Sequence, residues 1–154
     1  MTKKTASFVY VTYIRSTPEK VYEAITKPEI AARYWGHENV SDWQPGSQWK
    51  HIGADSSRQT KVTGRVIENK PPSHLVISWV SPENVDDASQ HSRVTFDIVP
   101  YEGMVKLTVL HDELEAGSGM QMGISKGWPI VLSSMKSYLE TGQPIDIFAK
   151  PKGT

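Results

Sequence analysis

The strongest constraint on the fold lies in the last third of the chain. Two strand-like runs, Ser92 to Pro100 and Met104 to Leu114, lead into a helix that opens near Gly127-Trp128-Pro129 and closes at Gly142. In the helix, Trp128, Val131, Leu132, Met135, Tyr138 and Leu139 recur at helical spacing and form one apolar face. A face that wide needs a sheet to cover. The hairpin across Pro100-Tyr101-Glu102-Gly103 supplies one, with Val94, Phe96, Ile98, Val105, Leu107 and Val109 turned inward by strand parity. A long helix laid on an antiparallel sheet tends to enclose a cavity. Pro129 leaves two readings of the helix start. If the helix begins around Gln121, the proline removes a backbone hydrogen bond and kinks it, and Gly123, Gly127 and Pro129 form a hinge. If it begins at Trp128, the proline merely occupies the first turn.

The rest of the chain reads as a matching sheet. Phe8 to Arg15 is β-branched and aromatic, the composition of a strand. Ser16 or Thr17 then offers an N-cap before Pro18, and the spacing of Val21, Tyr22 and Ile25 predicts a short helix over about 18 to 26. Pro28 and Glu29 repeat the start signal for a second helix, continued by Ile30, Ala31, Tyr34 and Trp35 and ended by Gly36. After the Pro45-Gly46 turn, strands follow at 47 to 52, 61 to 68 and 74 to 80, and then a polar loop from Pro82 to Gln90. The expectation is an α+β single domain spanning 1–154, with its core at about 8–143 and a C-terminal tail at 144–154.

Charge and composition exclude several functions. Seventeen basic residues balance seventeen acidic ones, so no net field draws the chain to nucleic acid or an anionic membrane. There is no cysteine, which removes disulfides and thiolate chemistry and suits a reducing, cytoplasmic setting. The N-terminal residues read as neither a secretory signal nor a membrane span, so no membrane insertion is expected. The adjacent pairs His37-Glu38 and His111-Asp112 are poorly spaced for one metal ion. There is no GxSxG elbow, and Gly117-Ser118-Gly119 is no phosphate loop, so no metal, cofactor or nucleophile is expected. His51 shares a face with Trp49, and His111 shares one with Leu107 and Val109, so both project inward as proton shuttles or hydrogen-bonding groups. The plainer alternative is a strand-end histidine bonded to backbone. His37, His74 and His91 read as surface residues.

In these residues the chain resembles the START-like, or SRPBCC, superfamily with its helix-grip fold, and most closely the branch of activator of heat-shock protein 90 ATPase homologues. The carrying segments are Ser16 through Thr26, Tyr34-Trp35-Gly36, Pro45-Gly46-Ser47, Ser92 through Phe96, Leu107 through His111, and Gly127-Trp128-Pro129 through Gly142. The resemblance implies a curved antiparallel sheet gripping the C-terminal helix around a ligand cavity. By parity its lining comprises Trp49, Leu75, Ile77, Trp79, Phe96, Ile98, Leu107, Val109, Leu132, Met135 and Leu139, joined by His51 and His111, with Trp35 and Trp128 near the entrance. The same residues also suit plain core packing.

Three functions follow from that scaffold. The first is uptake of a small hydrophobic or amphipathic molecule, oriented by His51, Tyr10 or Arg65. The second is a cyclase- or hydratase-type enzyme using an inward His or Tyr. The third is an interaction module for a chaperone or another protein, acting through the outer sheet face or the long helix. The superfamily's eukaryotic chaperone activators resemble this chain only in their C-terminal domain, and no counterpart of their chaperone-docking domain is expected in these 154 residues. Edge strands on an open sheet allow a monomer or a homodimer.

Overall fold

The computed structural model describes residues 5–145. Strand β1 (Thr5–Ile14) is followed by helices α1 (Pro18–Thr26) and α2 (Pro28–Trp35), strands β2 (His37–Val40), β3 (Gln48–Gly53), β4 (Thr60–Lys70), β5 (His74–Trp79), β6 (Ser92–Tyr101) and β7 (Met104–Glu115), and helix α3 (Gly119–Thr141). The seven strands form one open sheet in the order β1-β7-β6-β5-β4-β3-β2, each pair antiparallel. This is the expected helix-grip arrangement. The Pro82 to Gln90 loop holds two single 3₁₀ turns, Pro82–Asn84 and Ala88–Gln90. Of the expected C-terminal tail, residues 146–154 lie outside the described residues.

Local chemistry explains the paired short helices. Thr17 caps α1, its Oγ1 accepting from the Lys20 amide at 3.2 Å. Lys27 precedes Pro28 and is held extended (φ −93°, ψ 119°), so α1 stops there and α2 starts on the proline. That break leaves helix carbonyls without backbone donors; Pro28 in particular has no N–H to give Ala24. Side chains from three later segments take their place. Tyr34 Oη donates to Ala24 O at 2.8 Å, Asn39 Nδ2 to Ile25 O at 2.8 Å, and Trp43 Nε1 to Thr26 O at 3.0 Å.

Parity holds through the central sheet: Val94, Phe96, Ile98, Val105, Leu107 and Val109 are all buried. Two expectations need correction. β2 was not anticipated at all. Its four residues, His-Glu-Asn-Val, show no apolar alternation, because the buried position is filled by the polar Asn39. The long helix follows the earlier of the two readings and starts earlier still, at Gly119. Ser118 caps it by accepting from the Gln121 amide at 3.1 Å, so Pro129 sits inside the helix and removes the bond that would reach back to Ser125. Glycine at 119, 123 and 127 hides this half from propensity arguments. α3 ends as expected at Gly142 (φ 83°). Among the described residues, no helix is long and apolar enough to cross a membrane.

Candidate functional site

A cleft of about 320 Å³ opens between the N-terminal half of α3 and the β2–β3–β4 end of the sheet. Trp35, Trp79 and Trp128 build its aromatic walls, His37 and His51 lie on the strand side, and Lys61 and Val62 stand at the rim. On the helix side, Gly123 and Gly127 contribute no side chain, and a Cβ built on either meets nothing within 4 Å. The aromatic groups touch each other in a continuous set. The Trp35–Trp128 and Trp79–Trp128 ring centroids are both 5.5 Å apart, and Trp35 lies 4.6 Å from His51.

His37 and His51 are stacked, with centroids 4.5 Å apart and planes 11° from parallel. Sheet register makes this contact. His37 pairs with Gly53 and Asn39 with His51, so the two histidines are diagonal neighbours, and the glycine opposite His37 leaves room for the stack. Their protonation follows from their partners. Asn39 uses its Nδ2 on Ile25 O, so its Oδ1 must accept from His51 Nδ1–H at 2.7 Å. His37 Nδ1 lies 3.0 Å from Trp35 O, a group that can only accept. Nδ1 is thus the donor in both rings, and Nε2 of each, a lone pair whenever its ring is neutral, has no partner among the described residues. Burial, and secondarily the neighbouring His37, pushes the His51 pKa down to about 3. It is neutral at physiological pH.

His111 is fully buried behind Trp128. Its Nδ1 accepts from Trp128 Nε1 at 3.1 Å, so its Nε2 carries the proton and donates to Ser92 Oγ at 2.7 Å; the hydroxyl passes its own hydrogen to Trp79 O at 3.2 Å. Burial lowers its pKa to about 4, against a smaller upward pull from Asp112. With both nitrogens engaged, His111 latches α3 onto the sheet.

Of the residues read from the sequence, Trp35, His51, Trp79 and Trp128 line this cleft. Trp49 lies one layer below, 5.5 Å from Trp79, its Nε1 bonded to Ser78 O at 2.7 Å. Phe96 meets Trp128 edge-on at 5.9 Å. Leu75, Ile77, Ile98, Leu107, Val109, Leu132 and Met135 are at most 3% exposed and sit in the packed core, with Leu139 half-buried beside it. Tyr10 belongs to a different groove, shared with Lys136 and Glu140, and Arg65 is exposed with its guanidinium on Gly46 O. His37 was read as a surface residue, yet it is half-buried in the cleft wall; the one available signal was its place two residues from Asn39 on a strand too short to recognise. His74 is part-exposed between Asp97 and Glu68.

A second, larger groove of about 640 Å³ lies beyond Gly123 and Ile124, lined by hydroxyls, Asn84, Gln90 and two glutamates. It is more polar, and no aromatic side chain lines it. Among the described residues no group of three His, Asp or Glu side chains is arranged to hold a metal ion.

Comparison with known proteins agrees with this architecture. The family described as activator of Hsp90 ATPase homolog 1-like protein matches residues 15–140. The chain belongs to this family. No curated protein matches it. Among solved structures, the Aha1 dimer from Colwellia psychrerythraea superposes with a TM-score of 0.72 at 18% identity, covering 89% of this chain and 98% of that one. An HSP90 activator from Plasmodium falciparum does so at 0.65 and 21%, covering 79% and 86%. ChR145 from Cytophaga hutchinsonii gives 0.71 at 26%, covering 90% and 96%. Within the Hsp90-activator-homologue family, and the START-like superfamily to which its helix-grip fold corresponds, these likenesses describe the scaffold. The chemistry of this member rests on its own cleft.

Proposed function

We propose that residues 1–154 form a single START-like domain that binds a small hydrophobic or amphipathic molecule in the Trp35–Trp79–Trp128 cleft. The observation carrying this reading is the cleft itself: three indole walls, a helix side that Gly123 and Gly127 leave open between Ile124, Trp128 and Val131, and two imidazole rings on the strand side. Apolar burial supplies affinity, and the histidines orient a polar end. In this reading Leu75, Ile77, Phe96, Ile98, Leu107, Val109, Leu132 and Met135 support the walls from behind, and Trp49 and His111 hold them in place.

Binding is favoured over catalysis by the same histidine. A general base works best with a pKa near the working pH, whereas His51 lies about 3.5 units below its ordinary value, which costs on the order of 5 kcal/mol for taking up a proton. His111 has both nitrogens occupied.

The test fills the cleft from its glycine side. A Cβ at Gly127 meets no protein atom within 4 Å, and leucine is the better helix former by roughly 0.5–1 kcal/mol, so Gly127→Leu is expected to keep or raise stability while abolishing uptake. Native mass spectrometry with organic extraction reads the bound molecule directly. An adduct retained unchanged by Gly127→Leu refutes the assignment.

A second reading has its own observation. Val9, Val11, Tyr13, Val99 and Tyr101 are each 40–55% exposed on the outer sheet face, with the Tyr13 and Tyr101 rings 5.2 Å apart. Such a surface suits a protein partner, whether a second copy or a chaperone. Sedimentation of the wild-type chain and of Tyr101→Glu tests it; one unchanged monomeric mass for both removes self-association.

A further inference from the structure

The cleft's hydrogen-bonding groups narrow the chemistry of its occupant. His37 and His51 each use Nδ1–H on a fixed acceptor and present Nε2 as a lone pair, so the strand wall offers acceptors. The nearby indole and amide donors are already committed or closed off: Trp128 Nε1 serves His111, Asn39 Nδ2 serves Ile25 O, and Trp79 Nε1 is sealed in the interior without a partner among the described residues. The Lys61 ammonium at the rim gives one hydrogen to Gln59 Oε1 and is the donor that remains. His51 is only 5% exposed, so an occupant with no donor would leave its Nε2 desolvated and unpaired. The occupant must therefore bring a hydrogen.

Charge decides which kind of donor. Lys61 is the one charged side chain among the residues lining the cleft, and no carboxylate accompanies it. An ammonium donor would enter beside a lysine whose acidic neighbour, Asp55, is not among the residues lining the cleft, although the indoles alone would attract it. A neutral donor that is weakly acidic is favoured by the same lysine. Shape adds the rest. The walls are indole faces and edges, the glycine side is smooth, and 320 Å³ corresponds to about ten water volumes, enough for two or three fused rings.

We propose that the occupant is a flat aromatic molecule carrying a hydroxyl group, which is donated to Nε2 of the stacked His37–His51 pair. This deepens, and rests on, the reading of the cleft as a binding site. Donation to His51 continues a chain already present, from the ligand hydroxyl through imidazole and Asn39 to the C-terminal end of α1.

Calorimetric titration of the full chain with 2-naphthol, 2-methoxynaphthalene and naphthalene separates the two levels of the argument. The methoxy compound keeps the oxygen and adds bulk but has no donor. The expected result is that 2-naphthol binds at least tenfold more tightly than either of the others, that Gly127→Leu abolishes binding of all three, and that His51→Phe removes the hydroxyl preference while naphthalene still binds. His37→Phe, at a half-exposed position, is expected to keep the fold and weaken the preference. Equal affinity of the three probes for the wild type overturns the hydroxyl assignment and leaves the cleft intact as a binding site. A hydroxyl preference unchanged in both histidine variants also overturns it. Failure of all three to bind overturns both.

Discussion

Two buried neutral histidines make the stability of this chain depend steeply on acid. His51 and His111 have folded-state pKa values of about 3 and about 4 against an ordinary 6.5, in each case chiefly because of burial. A lowered histidine pKa means that the unfolded state binds protons the folded state refuses. The penalty is therefore absent above pH 6.5, grows as pH falls through 6.5, and is complete only below the folded values. Between pH 6.5 and 4.5 each group contributes about 1.4 kcal/mol per pH unit, so the pair costs roughly 5 kcal/mol over that span. His74 acts in the opposite direction, because Asp97, and less strongly Glu68, raise its pKa; it is part-exposed and its carboxylate partners are half-exposed, so screening reduces its effect. The carboxylates held low by hydrogen bonds, Glu38, Asp42, Asp55 and Glu140, have ordinary values of 4.5 or below and lose their contribution beneath this window. Since a domain of this kind is stable by only ~5–15 kcal/mol, from about a third to all of that margin disappears by pH 4.5. Urea unfolding followed by tryptophan fluorescence at half-unit pH steps measures it. The expected slope is close to two protons between pH 6 and 5, and His51→Phe halves it. A flat profile, or a slope indifferent to His51, refutes the argument.

Three further substitutions test the frame around the site. Gly64→Ala places a methyl 2.0 Å from Ser78 O and 2.7 Å from Trp49 Nε1, where the indole-to-carbonyl bond crosses β4; a loss of about 3 kcal/mol or more in urea unfolding at pH 7 is expected. Tyr34→Phe strips Ala24 O of the donor that Pro28 cannot supply, and calorimetric melting is expected to show a loss of about 1–3 kcal/mol. Ser16→Ala removes a buried hydroxyl that has no partner among the described residues, so the same measurement is expected to show no loss and up to ~1 kcal/mol of gain.

Strand parity is a two-residue rule enforced by burial, and it carried the inward set of β6 and β7 and the Trp49–His51 face directly from sequence to structure, as the 3.6-residue period did for the apolar side of α3. The α1 cap was readable to within one residue, Ser16 or Thr17, and the glycine ends of α2 and α3 were readable outright, whereas the Ser118 cap of α3 was missed. What parity cannot convey is depth. It turns Leu107 and Trp79 inward alike, yet only Trp79 reaches the cleft wall, because where the sheet separates from the helix depends on the run of α3 through Pro129 and on the absence of side chains at Gly123 and Gly127. That also alters the choice of perturbation. A tryptophan at Leu107 or Leu132 overpacks a core position at most 1% exposed, whereas a leucine at Gly127 enters open space. His37 escaped notice for another reason: β2 shows no hydrophobic alternation, and its place is fixed by Asn39 reaching the broken end of α1.

β2 is also the last strand of the sheet, four residues long and paired with β3 alone. Short edge strands open locally at a fraction of the free energy of global unfolding. The wall bearing His37 is therefore the cheapest part of the cleft to displace. For the proposed guest, parting β2 from β3 is a route of entry that leaves the latched helix in place, and the expected outcome is an association rate that follows the amide hydrogen exchange of Glu38 to Val40 more closely than that of the central strands.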